Sequence, residues 1–206
     1  ENWQWKNKKA RLENLPICQI PLANAATALA AVQYLPFDIS EQTLRKSLQE
    51  VELVGRFQVI KADRREKLAD YLGVPVETLP TIIVDVGHNP HAAKYLSEKL
   101  TALKHSIEGK IIAVCGMLKD KDANGVFVHL TPIIDEWHCV TLGGYRGQSG
   151  DELAEKLKSH FPHVQVTSDN SVMDGVSTAL KSAVKNDVVL VFGSFHTVAE
   201  FWSVVE

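Results

Sequence analysis

The sequence predicts an α/β protein, a Rossmann-like and mostly parallel sheet with helices on both faces, preceded by a small remnant of another domain. From residue 81 onward, short β-branched runs alternate with helical periods, which is the pattern of strands and crossover helices. The most apolar of those runs show no polar alternation, so they read as strands buried on both faces. The connections are short, which makes a right-handed doubly wound arrangement the economical topology.

The strands read as 81–86 (TIIVDV), 110–116 (KIIAVCG), 137–142 (WHCVTL), 164–167 (VQVT) and 187–193 (DVVLVFG). Between them Ala92, Leu96, Leu100 and Leu103 fall at helical spacing, as do Val172, Val176, Leu180 and Val184, and then Val198, Trp202 and Val205. Each stripe can bury one helix face on the sheet. The first fifty residues differ. A hairpin is expected around Trp3 and Trp5, followed by a helix over 22–34 presenting Leu22, Ala26, Leu29 and Val32. A second helix opens at Ser40, with Glu41 suiting the positive end of its dipole, and presents Leu44, Leu48 and Val51. Two helices and a hairpin bury too little surface to stand alone. Residues 1–52 therefore read as the tail of a preceding domain, 53–60 as a linker and 61–206 as a complete domain. The start at Glu1 rather than Met, within a polar stretch, reads as that of a fragment.

Composition narrows the function classes. The 206 residues carry 22 basic and 25 acidic side chains, for a formal net charge of -3. With the signs interspersed, no basic stripe is available for nucleic acid. No apolar run approaches the ~20 residues of a membrane helix, and no secretory signal opens the chain, so a cytoplasmic location is expected. Cys18, Cys115 and Cys139 are far apart, and two lie in strand-like runs; they read as buried thiols in a reducing compartment.

The most informative segment is TIIVDVGHNPH, 81–91, where a buried strand ends in Asp85 and hands over to a helix within four residues. Asn89 suits the N-cap and Pro90 the first helical position. Ligands of open α/β sheets bind outside the carboxyl ends of strands, so Asp85 is placed to accept from ribose hydroxyls, and His88 to donate to a phosphate or carboxylate oxygen. The plainer reading is a turn-capping Asp and a satisfied loop His. Arg56, in GRFQ at the linker, can stack on a base or bind phosphate, or stand as a surface arginine. In VFGSFHT, 191–197, Ser194 or Thr197 can cap the next helix, while Ser194 and His196 lie at another strand end. The segment is not G-x-S-x-G, so binding suits it better than hydrolysis. The loops at 116–122 and 143–147 carry Lys119, Lys121 and Arg146, which can attract an anion or simply be solvated. His88 and His91 have no further ligand in a zinc pattern, and no metal site is expected.

Taken together, PLANAATALAA (21–31), GRFQ (55–58), DVGHNPHAA (85–93), GMLKDKD (116–122) and GSFHTVAEFW (193–202) closely resemble the bacterial bifunctional dihydrofolate synthases/folylpolyglutamate synthases of the Mur ligase superfamily. The order and spacing match along nearly the whole chain, in its C-terminal half; Gly87 stands where Ala is more usual. The resemblance implies ATP-dependent joining of L-glutamate to dihydropteroate or folate through an acyl phosphate, with Mg²⁺ offsetting phosphate charge. It makes residues 1–52 the end of the central ATPase domain. It also implies ATP contacts at Asn24, Arg56 and Asp85, and places His88, as the catalytic residue, with Ser194 and His196 near the glutamate or reacting carboxylate.

The family's G-T-N-G-K-G-S phosphate loop, magnesium ligands and central-domain lysine are absent from this sequence. Magnesium ligands are thus expected in a missing N-terminal half of the same enzyme, and the isolated chain, a monomer, is expected to be inactive. Residues 62–80, with a helix over 64–72, read as an inserted surface element. The alternative is a stand-alone Rossmann-like module binding a nucleotide or anion without catalysis. A dinucleotide oxidoreductase is disfavoured, because no G-x-G-x-x-G follows the first strand.

Overall fold

A computed structural model describes residues 2–8 and 10–206. Glu1, on which the reading of a fragment rested, lies outside the described residues, as does Lys9. The chain divides into two compact units, Glu1–Val54 and Gly55–Glu206.

In the first unit, β1 (Asn2–Lys6) pairs antiparallel with β2 (Arg11–Pro16), and α1 (Leu22–Val32) and α2 (Glu41–Glu50) follow. The core is small: Trp5, Leu15, Cys18, Ala25, Leu29 and Leu48. Both indoles of the hairpin satisfy their N–H groups while burying their rings, Trp3 donating to the Pro16 carbonyl at 2.8 Å and Trp5 to the Ala26 carbonyl at 3.0 Å. Ser40 caps α2, its hydroxyl accepting from the Thr43 amide at 3.1 Å. From the same helix, Arg45 donates to the Glu13 and Asn14 carbonyls, where Asn14 has a φ of +51°. Helix α1 is two residues shorter than the 22–34 expected, and Ala25 and Leu29 are its buried residues, whereas Leu22 is 42% exposed. Small alanines on neighbouring positions blur the stripe that the larger side chains suggested.

The second unit is built on a six-stranded sheet of order β3-β4-β8-β5-β6-β7. Its elements are β3 (Gln58–Val59), α3 (Ala62–Leu72), β4 (Thr81–Asp85), α4 (Pro90–Lys104), β5 (Ile111–Cys115), α5 (Ala123–Leu130), β6 (Glu136–Val140), α6 (Gly150–His160), β7 (Val166–Asp169), α7 (Val172–Ser182), β8 (Val188–Phe192) and α8 (Phe195–Val205). All pairings are parallel except that of β3 with β4. The order follows from right-handed crossovers. The steps from β4 to β5, β6 and β7 all run the same way, so α4, α5 and α6 lie together on one face, sharing a core with Ile83, Ile111, Ala113, Leu190 and Phe192. The chain then turns back to insert β8 between β4 and β5, which sends α7 to the opposite face with α8 and α3, over Ile82, Val84, Ile112, Val114 and Val191. Strands β4, β5, β6 and β8 are thereby buried on both sides, as expected of the most apolar runs, and β6 is so although Glu136 and His138 lie within it.

Several details differ from the expectations. Strand β7 lies at 166–169 rather than 164–167 because Val164 closes a turn, its amide donating to the Phe161 carbonyl. Gln58 and Val59, expected within a linker, form an edge strand. Helix α3 packs on α8, with the Arg64 guanidinium 4.3 Å from the Trp202 ring centre, and Leu68 is fully buried. Segment 62–80 therefore forms part of the core on that face and is not a surface insertion. Helices α5 and α6 escaped the sequence reading, although Ser149 and Glu152 form a complete capping box for α6.

A buried polar network runs through β6 and β7. His138 on β6 is 1% exposed; its Nε2 faces Glu136 at 3.1 Å, and its Nδ1 faces Asp169 at 3.3 Å and the Thr167 hydroxyl at 3.0 Å. Ser182 donates to Glu136 and Thr178 to Asp169, closing the network. Such a network stabilises only while every member is satisfied. Replacing His138 with Ala leaves two inward-facing carboxylates without their shared partner, plus a cavity. We expect a loss of about 3–5 kcal/mol in urea unfolding; a loss below about 1 kcal/mol would show that the network carries no stability.

Candidate functional site

The sheet's strand order sets where a ligand can sit. Helices α4 and α5, which follow β4 and β5, lie on one face, while α8, which follows the intervening β8, lies on the other. The loops leaving the carboxyl ends of these three strands diverge there, which is where ligands of open α/β sheets bind.

At the end of β4, Asp85 is 6% exposed. Its Oδ1 accepts from the Gly87 amide at 2.6 Å and its Oδ2 from the Phe57 amide at 2.8 Å. Burial pushes this carboxyl above its ordinary value, against the opposing pull of the two amides and of the Arg56 charge. The segment it holds is tightly drawn in. The Gly55 carbonyl accepts from the Val86 amide at 2.8 Å, and the Gly55 amide donates to the Gln58 side chain at 2.9 Å. Gly55 has a φ of +69°, and a Cβ there would lie 2.9 Å from Val86. Phe57, with a side chain, is nevertheless at a φ of +42°, a left-handed conformation held by its surroundings at a cost. Between them Arg56 projects exposed, attracted to Asp85 but in no ion pair among the described residues.

Asn89 caps α4 as expected, accepting from the Ala92 amide at 2.9 Å, with Pro90 at its first position. His88, half-buried, places Nδ1 2.8 Å from the Val86 carbonyl. A carbonyl only accepts, so Nδ1 carries the proton and the neutral ring leaves its Nε2 lone pair outward. Protonated, the ring would donate from Nε2 instead. The ring is tilted against Phe195, with centroids 6.2 Å apart; Phe195 is 61% exposed and was not singled out from the sequence. An aromatic beside a helix cap reads as core until the tertiary structure leaves it uncovered.

At the end of β8, Gly193 has a φ of +111° and Ser194 caps α8. The hydroxyl order is determined: Thr197 donates to the Gly116 carbonyl at 2.7 Å, Ser194 donates to Thr197 at 2.8 Å, and Ser194 accepts from the Thr197 amide at 3.0 Å. These bonds tie the end of β8 to the end of β5, and a Cβ at Gly116 would lie 2.5 Å from the Thr197 hydroxyl. Ser194 is 3% exposed with its proton already committed, so it is not poised as a nucleophile. His196, the next-but-one residue, is exposed. Thus Arg56, Asp85, His88 and Ser194 gather around the β4 and β8 ends, whereas Asn24 is exposed on α1 of the first unit.

Of the cationic side chains on the other rim loops, Arg146 is engaged by Asp120 through two hydrogen bonds of 3.0 and 2.6 Å, and Lys121 approaches the same carboxylate at 3.5 Å. Lys119 stands 4.9 Å from the Tyr145 ring centre. The fork therefore clips two loops together, which local sequence did not reveal because the partners are 26 positions apart. Cys18, Cys115 and Cys139 are buried free thiols, and burial pushes Cys139 up to about 12, consistent with inert core groups. Among the described residues, no group of three or more His, Cys, Asp or Glu is arranged to hold a metal, and no helix is long and apolar enough to cross a membrane.

Known proteins match this arrangement. The family model described as Mur ligase, glutamate ligase domain, matches residues 55–195. The chain is 92% identical to the dihydrofolate synthase/folylpolyglutamate synthase of Haemophilus influenzae over all 206 residues, which is 47% of that protein's length. The Escherichia coli FolC structure in complex with DHPP and ADP superposes with a TM-score of 0.81 at 37% identity, covering 99% of this chain and 44% of that one. A structure of a bifunctional folylpolyglutamate synthase/dihydrofolate synthase with Mn, AMPPNP and L-glutamate bound gives a TM-score of 0.77 at 38% identity, over 98% of this chain and 44% of that one. The chain thus spans under half the length of these relatives.

The Arg146 hydrogen bond holds the Asp120 carboxyl down at about 2. Its pKa falls on folding, so the clip is formed above the ordinary carboxylate range and is lost as pH falls through about 2. We expect a carboxyl-carbon NMR titration of Asp120 with that midpoint, returning toward 3.8 in Arg146→Ala; an unmoved midpoint in the variant would assign the depression to another group.

Proposed function

The chain belongs to the Mur ligase family through its glutamate ligase domain, and from that premise we propose that it is the C-terminal part of an ATP-dependent dihydrofolate synthase/folylpolyglutamate synthase joining L-glutamate to dihydropteroate or folate. The observation that carries the proposal is the 92% identity to the Haemophilus influenzae enzyme across every residue of the chain, joined to a rim where Asp85, His88 and Arg56 converge on one strand end. In this reading the first unit closes the ATP-binding central domain, the glutamate ligase domain begins at Gly55, and the protein works in the cytoplasm as a monomer.

When bound, ATP supplies the phosphoryl group that activates the substrate carboxylate. Exposed Arg56 is a nucleotide contact on the second unit, with buried Asp85 beside it at the end of β4; exposed Asn24 is one on the first. The fixed tautomer of His88 suits it to the amine side of the reaction. With Nδ1–H held by Val86, its Nε2 lone pair accepts the proton of the glutamate amino group as that nitrogen attacks. His196 fits a glutamate carboxylate, and Ser194 acts chiefly by fixing the turn that presents His196. The magnesium ligands are assigned to the N-terminal half together with the phosphate loop, and this chain takes no step through the metal.

The test is reconstitution. The chain alone is expected to release no ADP on addition of ATP, folate and glutamate, whereas adding the separately expressed N-terminal half of the Haemophilus influenzae enzyme is expected to restore glutamate-dependent release. No release from the mixture while the intact relative is active would overturn the reading; tight ATP binding by the chain alone would favour an independent binding module. In the restored enzyme, His88→Ala is expected to lower kcat by about 10²- to 10⁴-fold. A change confined to KM would reassign His88 to binding.

A further inference from the structure

Asp85 is buried, both of its oxygens are taken by backbone amides, and those amides belong to two different loops. One amide is its own turn's, at Gly87. The other is Phe57, 28 positions earlier. Phe57 has a left-handed φ of +42°, unfavourable for a side chain, and its amide's bond to Asp85 joins the Gly55–Gln58 bond across the turn and the packing of its ring on the core in holding that conformation. Arg56 immediately precedes it, and the Gly55 carbonyl on the other side is tied to the Val86 amide at 2.8 Å.

We propose that Asp85 is a positioning residue for Arg56: by accepting the Phe57 amide it locks the strained turn 55–57 onto the end of β4 and aims the guanidinium at the nucleotide. The inference rests on the reading of Arg56 as a nucleotide contact. It assigns to Asp85 an action through the turn rather than one confined to the ligand. Asn at position 85 would present one accepting oxygen where two amides need acceptors, so one N–H would lose its partner. The Phe57 amide, with the strain behind it, is the one that lets go.

Two measurements test this, one of them independent of activity. In the 206-residue chain, Asp85→Asn should speed hydrogen exchange at the Phe57 amide about tenfold to a hundredfold while the amides of β5 and β6 keep their protection. Unchanged Phe57 exchange would overturn the proposal, and the β5 and β6 amides report whether the variant has folded.

The second measurement is an ATP-binding cycle in a chimaera where this chain replaces the matching region of the Haemophilus influenzae enzyme. Arg56→Ala and Asp85→Asn should each weaken ATP by about tenfold or more, and the double variant should be no weaker than Arg56→Ala alone. Fully additive losses would mean that Asp85 acts on the nucleotide directly, overturning the positioning role while leaving Arg56 as a contact. No loss in Arg56→Ala would instead remove the nucleotide reading of Arg56, a failure distinct from that of the turn, which the exchange experiment reads by itself. Phe57→Gly in the Asp85→Asn background should recover part of the lost affinity, because glycine adopts the turn without strain; failure to recover any would also count against the proposal.

Discussion

The carboxylate of Asp85 is the point at which strand, turn and rim are joined. It terminates β4, accepts from Gly87 within its own loop, and accepts from Phe57 across a separation of 28 positions. That second bond acts with the Val86–Gly55 backbone bond to fasten the turn in which the antiparallel pairing of Gln58 with Val84 ends. Burial opposes the charge on Asp85, and the two amides with Arg56 act against that opposition. A buried carboxylate is tolerated only when its lone pairs are satisfied, and the architecture of the 55–58 turn follows from satisfying them.

The placement of that carboxylate depends in turn on the return of the chain through β8. Had the strands followed one another in order, the loops after them would all have run to one face. Inserting β8 between β4 and β5 sends α8 to the face opposite α4, and His88 meets Phe195 where the two loops diverge. The tie from Thr197 to the Gly116 carbonyl joins the end of β8 to the end of β5.

Much of this was legible in advance, and for a common reason. The caps at Ser40, Asn89 and Ser194, the glycine before Ser194 and the apolar strands are dictated by residues within three or four positions of one another, where side chain and backbone meet whatever the fold. The capping box at Ser149 and Glu152 was equally legible and passed unnoticed. The tautomer of His88 was not, because it depends on where the Val86 carbonyl points. Nor was the engagement of Arg146 by Asp120, which requires two loops from neighbouring strands to meet.

By itself, then, the sequence determined the alternation of buried strands and amphipathic helices, the helix starts, and the family to which these motifs bear their likeness. Only the tertiary structure decided that Gln58 and Val59 pair with β4, that segment 62–80 packs on α8, and that His138 sits between Glu136 and Asp169 in the core. The division is one of range. Capping and periodicity are properties of adjacent turns, whereas these contacts exist only once strand order brings together groups that are far apart along the chain.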